Sequence, residues 1–260
     1  MLSIIIPSYK DPYLWKTIDS ILQNARGEIE IIAVFDGYWP PAPIFEEPRV
    51  RYIHLGRNRG MRRAINAGVD IARGEFIMRT DEHCAFGPGF DVILTSECEP
   101  NWIVTPRRYF LDPVKWEIMD IPPIDHMKLK IQRVNETVRK FTGVEAPGDN
   151  SQPIQESMAM QGSCWMMPRS WWDKVIAELQ NEGYGPHYQD SHEMVFKTWQ
   201  AGGKLMVNKK TWYAHKHRSF PRTHNNGTTE NPSNNEACWA YALSVWEEYY
   251  NKEIKPKWGM

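Results

Sequence analysis

Short runs of continuous apolar residues alternate with segments of helical apolar spacing in the first part of the chain. The runs Leu2 to Ile6 and Glu30 to Phe35 are typical of strands that are buried on both faces. Between them, apolar residues fall on one face of a predicted helix that begins after Asp11-Pro12 and ends at Gly27. A strand, a helix and a strand in this order predict a right-handed parallel crossover.

The alternation continues with a predicted strand at Val50 to Leu55, a helix from Gly60 to Ala72 and a short buried strand from Phe76 to Met78. Lys128 to Lys140 fits either a surface strand pair or an amphipathic helix. Further elements are predicted as helices at Phe90 to Cys98 and Ala237 to Tyr250 and as strands at Trp102 to Tyr109 and Lys204 to Tyr213. The sequence therefore predicts an α/β fold with a central, mostly parallel sheet flanked by helices.

Composition narrows the class of protein. The 260 residues are 42% hydrophobic, which is enough for one large core, and a net charge of -1 gives no global attraction to nucleic acid or membranes. The four cysteines are scattered without a Cys-x-x-Cys pair, which favours a reducing cytoplasm over a disulfide framework. Because no apolar segment reaches spanning length, we expect no membrane association.

Two metal-type ligands follow the strand Phe76 to Met78. Asp81 and His83 would lie at the carboxyl edge of the sheet, which is where α/β proteins bind ligands. A carboxylate beside an imidazole suits Mn²⁺ better than Mg²⁺, although Zn²⁺ accepts the same pair. The alternative is an acidic surface turn whose histidine caps the following helix.

Arginines cluster where the helix from Gly60 to Ala72 begins. A helix N-terminus favours anions and guanidinium groups match phosphate oxygens, so this cluster predicts a phosphate site. The alternative is a solvated basic face. The cluster consists of Arg57, Arg59, Arg62 and Arg63.

Four motifs occur in a recognisable order: Ser3-Ile-Ile-Ile-Pro-Ser-Tyr9, a strand ending in Asp36-Gly37, Asn58-x-Gly60, and Arg73-Gly-Glu-Phe-Ile-x-x-x-Asp81. They resemble the donor half of the family 2 type glycosyltransferases, which have the Rossmann-like GT-A fold. The resemblance covers residues 2 to 90 closely and extends more loosely to about residue 218. The usual Asp-Asp pair is Phe35-Asp36 here, and the usual Asp-x-Asp is Asp81-Glu82-His83. The second departure is similar to the metal motif of the polypeptide N-acetylgalactosaminyltransferases, in which a distant histidine completes the site.

The resemblance implies roles for particular residues. It implies Mn²⁺, or alternatively Mg²⁺, held by Asp81 and His83 with His215 or His217 as the third ligand. Because His215 and His217 are two residues apart at a strand end, both would point to the same side. Donor-binding residues implied by the resemblance, or placed near the diphosphate by their charge, are Pro7, Tyr9, Asp36, Asn58, Arg62, Arg63, Asp81, Arg218 and Arg222. Arg218 and Arg222 border a predicted lid from Ser219 to Asn235.

Asp190 begins a predicted helix, where it would serve as the N-cap. The resemblance instead implies that Asp190 is the catalytic base of an inverting enzyme, with Glu193 in reserve. The Asp-x-His motif points to retaining enzymes, so the stereochemistry stays open.

The expected activity is transfer of a sugar from a UDP-sugar to an acceptor hydroxyl of a glycan, a protein or a hydroxymethylated DNA base. For DNA, the candidate basic residues are Lys209, Lys210, Lys216, Arg218 and Arg222. The alternatives are a nucleotidyltransferase acting on sugar phosphates and an inactive module that binds sugar nucleotides. We expect one domain, with a donor half over residues 1–110 and an acceptor half over residues 150–260, in the cytoplasm of a bacterial or virus-infected cell.

Overall fold

A computed structural model describes residues 1–40, 46–146, 148–149, 151–185, 188–217 and 232–260, with side chains from residue 235 onward in the last range. The strands are β1 Leu2–Ser8, β2 Ile29–Asp36, β3 Val50–Leu55, β4 Phe76–Thr80, β5 Cys84–Phe86, β6 Trp102–Asp112, β7 Glu117–Ile118, β8 His126–Arg133, β9 Arg139–Ala146, β10 Ile154–Glu156, β11 Cys164–Pro168 and β12 Lys204–His215. The helices are α1 Leu14–Asn24, α2 Met61–Ile71, α3 Phe90–Ser96, α4 Arg169–Trp171, α5 Asp190–Gln200, α6 Pro232–Tyr249 and α7 Lys255–Lys257, with π-helical turns at Trp172–Ile176 and Tyr250–Ile254.

The central sheet has ten strands among the described residues: eight follow the order β10-β12-β6-β11-β4-β1-β2-β3, while β5 also pairs with β12 and β7 with β6. β1 pairs in parallel with β2 and β4, β2 with β3, and β12 with β6. β11 is antiparallel to both neighbours, and β10 is antiparallel to β12. The predicted α/β class with a mostly parallel sheet is confirmed, and β11 joins the strands of the first part of the chain to β6 and β12.

Apolar side chains are buried on both faces of this sheet. α1 and α3 cover one face over a cluster that includes Ile4 and Met78. On the other face, Ile5, Ile32 and their neighbours pack with residues of α2, α5 and α6. Continuous apolar strands such as β1 and β2 are required here because both of their faces meet a helical layer.

The ambiguous segment 128–140 is a strand pair. β8 and β9 form an antiparallel hairpin in which Leu129 and Phe141 are buried. The C-terminal helix lies against it, and the Tyr250 hydroxyl donates to the Leu129 carbonyl oxygen at 2.8 Å. An amphipathic helix is excluded for this segment because alternate residues, not every third or fourth, meet the core.

Most predicted elements match the structure to within a few residues, and β3 has the predicted bounds. α1 begins at Leu14, three residues after Asp11. The division into donor and acceptor halves stays a prediction. Within the described ranges, no helix is long and apolar enough to cross a bilayer.

Candidate active site

The Asp-x-His motif lies between β4 and β5. β5 pairs with β12 on one edge, and Cys84 there opposes His215. On the other edge of β5, the Cys84 and Phe86 N–H groups donate to hydroxyls of α1 at 2.9 and 3.0 Å. Because both edges of this short strand are bonded, the motif is fixed beside the end of β12.

Asp81, His83 and His215 bring three ligand atoms together. His215 Nε2 is 3.0 Å from Asp81 Oδ2 and 3.1 Å from His83 Nε2, and the remaining separation is 3.7 Å. A circle through these three atoms has a radius of about 1.9 Å, which is close to the usual metal–ligand distance of about 2.1 Å, so the three residues could hold one ion. Among the residues that the structure describes, Asp81, His83 and His215 are the side chains whose potential ligand atoms lie close enough together to hold one metal ion.

Asp81, His83 and His215, called the triad below, lie among charges and buried surfaces that favour the protonation states needed to bind a cation. Burial by itself would raise the pKa of Asp81, but the Arg79 guanidinium and the two imidazoles hold it well below its usual range. Burial lowers the pKa of His215 to about 4, although the Asp81 carboxylate acts in the opposite direction. Asp81 is therefore ionised and His215 is neutral at pH 7, which are the forms that bind metals.

The structure distinguishes His215 from His217, which the sequence offered equally as the third metal ligand. His215 ends β12 and faces the triad, whereas His217 lies beyond the strand, stacks on Phe110 and contacts Arg108. Arg218, Arg222 and residues 219–231 of the predicted lid lie outside the described residues, so their roles stay predictions, whereas residues 232–235 of that segment belong to α6.

Asp36 occupies the N-terminus of α2. Its carboxylate oxygens accept the Arg59 N–H at 2.5 Å and the Gly60 N–H at 2.8 Å, and Asn58 donates to its carbonyl oxygen at 3.3 Å. Gly37 has a φ of 79°, and a Cβ there would lie 2.0 Å from the Asn58 nitrogen. The predicted anion site at this helix is thus filled by the protein's own carboxylate. The implied contact of Asp36 with uracil is untested, and Asp36 has a structural role besides.

Two residues that the sequence predicted to be functional, one for donor binding and one for proton transfer, form an ion pair in the protein interior. Arg62 and Glu193 form an ion pair with side chains 0% and 1% exposed. Arg62 also donates to the carbonyl oxygens of Tyr188 and Gln180, and Lys197 lies 2.8 Å from Glu193. The assignments of Arg62 to the donor phosphates and of Glu193 to proton transfer therefore conflict with the pairing seen here. Arg63, by contrast, is exposed.

Asp190 begins α5 but does not cap it. Gln189 holds the N-cap position in a left-handed conformation, without a side-chain cap. Asp190 is 8% exposed, and its Oδ2 has no hydrogen-bond partner among the described residues. A Cβ on Gly162 would lie 3.8 Å from that oxygen. A ligand hydroxyl brought against this buried oxygen would supply the hydrogen bond that it does not receive from the described residues.

The buried Arg79 guanidinium interacts electrostatically with both Asp190 and the potential metal ligand Asp81. It contacts Asp81 Oδ1 and the Gly162 carbonyl oxygen from the interior of β4. Burial alone would lower the pKa of Arg79, but the carboxylates of Asp81 and Asp190 outweigh burial and raise it. A charge inside a buried strand is unusual, so Arg79 could have been singled out from the sequence.

The loop after β1 packs against the metal motif. The Tyr9 N–H donates to both carboxylate oxygens of Glu82, at 3.2 and 3.1 Å, and Asp11 Oδ2 lies 3.0 Å from His83 Nδ1. Pro7 is half-buried in β1 and Tyr9 follows that strand, so both lie near the motif in the fold. No local sequence pattern indicates the contacts of Asp11 and Glu82, because their partners are more than 70 residues away.

The lysines proposed for DNA are engaged elsewhere. Lys209 donates to Gln155 and to a backbone oxygen of residue 149, and Lys210 pairs with Glu97. The Lys216 ammonium lies 4.9 Å from the centre of the Tyr13 ring. These contacts use three of the five basic residues on which a DNA acceptor depended.

Fold and site together define an α/β protein with a parallel Rossmann-like half and potential metal ligands at the carboxyl end of β4. Residues 3–175 match the family described as glycosyl transferase family 2, and the chain belongs to this family.

Relatives and solved structures agree with this assignment. The chain is 34% identical over 108 residues to the uncharacterized glycosyltransferase EpsJ of Bacillus subtilis, which is 39% of this chain and 31% of that protein. It is 32% identical over 88 residues to the glycosyltransferase GlyG of Streptococcus pneumoniae, or 31% of this chain and 29% of that protein. The matches thus span about a third of these relatives. A crystal structure of GalNAc-T7 with UDP, GalNAc and Mn²⁺ matches 98% of this chain and 50% of its own, with a TM-score of 0.73 and 16% identity. This similarity confirms the GT-A fold.

Proposed function

We propose that this protein transfers a glycosyl group from a UDP-sugar to an acceptor hydroxyl, with a divalent cation held by Asp81, His83 and His215. The convergence of these three ligand atoms, in a chain of glycosyl transferase family 2, is the observation that carries the proposal. The GalNAc-T7 structure that shares the fold contains UDP and Mn²⁺, which supports the same donor nucleotide and ion here.

The cation would supply Lewis acidity to the departing diphosphate. Arg79 contacts one carboxylate oxygen of Asp81, and the other oxygen lies next to the histidines, where it could contact the cation. Two imidazoles and one carboxylate favour Mn²⁺ over Mg²⁺, which prefers oxygen ligands. Zn²⁺ fits the same ligands and belongs in the assay.

The donor would lie over the carboxyl ends of β1, β2 and β4, where parallel strands of an open sheet leave a crevice. Pro7, Tyr9 and Asn58 border this region from the ends of β1 and from the loop before α2. Arg63 is exposed at the start of α2 and would share the diphosphate charge with Arg218 and Arg222.

Asp190 would meet the acceptor hydroxyl. Its Oδ2 is buried and has no partner within the described ranges, while its neighbour Arg79 also contacts the metal ligand Asp81. A carboxylate in this position would accept the hydroxyl proton as the bond to the sugar forms. Glu193 is not proposed for this step, because Arg62 and Lys197 already occupy it.

The test is release of UDP from a panel of UDP-hexoses and UDP-N-acetylhexosamines, with Mn²⁺, Mg²⁺, Zn²⁺ or EDTA. We expect release with Mn²⁺ and none with EDTA, and we expect His215→Gln to lower the rate while exposed His217→Gln does not. Undiminished turnover in EDTA would contradict the metal assignment. Release of pyrophosphate from UTP and a hexose 1-phosphate, with no UDP released from the UDP-sugars, would instead assign the chain to the nucleotidyltransferases.

A further inference from the structure

We propose that Asp11 is a positioning residue for the cation site: its carboxylate orients His83 and fixes which ring nitrogen faces the metal. This inference rests on the proposed metal site and goes beyond its three ligands. Asp11 lies in the loop between β1 and α1, and its Oδ2 is 3.0 Å from His83 Nδ1. Both side chains are 2% exposed, so water does not compete for this contact.

The Asp11 carboxylate is itself held in place. Its Oδ1 accepts the Tyr13 N–H at 2.9 Å, which fixes the side chain at the start of α1. The loop is bound a second time where the Tyr9 N–H donates to Glu82. Asp11 therefore presents Oδ2 to His83 from a loop that is bound to the metal motif through Tyr9 and Glu82, while the Tyr13 N–H holds the other carboxylate oxygen.

This contact selects the tautomer of His83. A carboxylate oxygen only accepts hydrogen bonds, so His83 Nδ1 must carry the hydrogen. Nε2 is then left with its lone pair, and this is the atom that lies 3.1 Å from His215 Nε2. A carboxylate on the far nitrogen of a ligating histidine fixes the ring and makes the imidazole a stronger ligand.

The second histidine lacks such support within the described ranges. His215 Nδ1 is buried and has no hydrogen-bond partner there. The ring of His215 is fixed instead by its place at the end of β12 and by the contact of Nε2 with Asp81. The site thus has one histidine oriented by a carboxylate, and removing Asp11 would leave neither imidazole with that support.

The experiment measures Mn²⁺ and Co²⁺ affinity directly, by calorimetry and by the visible spectrum of the Co²⁺ protein. Asp11→Ser is the informative variant, because serine can still accept the Tyr13 N–H at the helix start but is too short to reach His83. We expect metal affinity to fall about 10–100-fold and the Co²⁺ spectrum to shift. Asp19→Ser, at an exposed position on α1, is the matched control and should bind metal like the wild type.

A double-mutant cycle separates positioning from a general loss of structure. In a His83→Gln background, Asp11→Ser should cause little further loss of metal affinity, because the contact is already absent. The proposal is overturned if Asp11→Ser binds metal like the wild type, or if its effect is undiminished in the His83→Gln background. A wild type that binds Mn²⁺ but releases no UDP would contradict the proposed function and leave this inference standing.

Discussion

The buried pair Arg62–Glu193 separates a structural glutamate from a catalytic one. Glu193→Gln would keep the size of the side chain but remove the charge that compensates Arg62, which is 0% exposed. Lys197 would lose the same partner. Breaking a buried ion pair from one side typically costs about 3–5 kcal/mol, because the remaining charge stays buried without compensation.

This cost should appear as a large loss of stability. For a domain of this size, each kcal/mol lowers Tm by about 2–4 °C, so we expect a decrease of roughly 6–20 °C. Urea unfolding should give a lower midpoint with an unchanged slope. At a temperature where both proteins are folded, kcat for UDP release should match the wild type.

Two further variants make this test decisive. Glu182→Gln, at an exposed position in the same part of the chain, should leave Tm unchanged. Arg62→Met combined with Glu193→Leu should lose less stability than the two single variants together, because no buried charge is then left alone on either side. A Glu193→Gln protein with the stability of the wild type and a greatly reduced kcat would refute the structural role and restore Glu193 as a base.

Three further predictions follow from the site. Asp190→Asn should leave the urea midpoint unchanged. If NMR shows that the product has the inverted anomeric configuration, this variant should also lower kcat by about 10²–10⁴-fold. A retained configuration, with kcat lowered by less than about tenfold, would exclude the base role. His215→Gln should weaken Mn²⁺ binding in calorimetry, whereas equal weakening by His217→Gln would contradict the triad. Burial lowers the pKa of both His215 and His192 to about 4, so the unfolded chain binds more protons between pH 6.5 and pH 4. The metal-free protein should therefore lose about 2 kcal/mol per histidine between pH 7 and pH 5 in urea titrations, and a flat profile would contradict this.

The strands and helices were predictable because the apolar pattern is local. β1, β2 and β3 are continuous or β-branched runs, and they needed no distant partner to be recognised. The strand pair at residues 128–140 was ambiguous because its charged residues mask the alternation. Only packing against the C-terminal helix, more than 100 residues later, shows which face is buried.

The candidate site was predictable only where its residues are close in sequence. Asp81 and His83 form a local motif, but His215 is 134 residues from Asp81 and is selected over His217 by the pairing of β12 with β5. The sequence could not reveal that Arg62 and Glu193 bind each other, because each also fits a functional motif of the resemblance. Their pairing depends on the way α5 packs near the start of α2.

The Oδ2 atom of Asp190, which has no hydrogen-bond partner among the described residues, bears on both the stability of the protein and its proposed function. Burying a carboxylate oxygen without a hydrogen bond costs free energy, and a ligand that donates a hydrogen bond to this oxygen would recover part of that cost. Two features offset this cost: the N-terminus of α5, which favours negative charge, and the Arg79 guanidinium nearby. Arg79 also contacts Asp81, so the same buried charge supports the proposed cation ligand and the proposed acceptor-binding carboxylate. An arrangement of this kind keeps one acceptor atom ready for a hydroxyl beside the place where the donor diphosphate would leave.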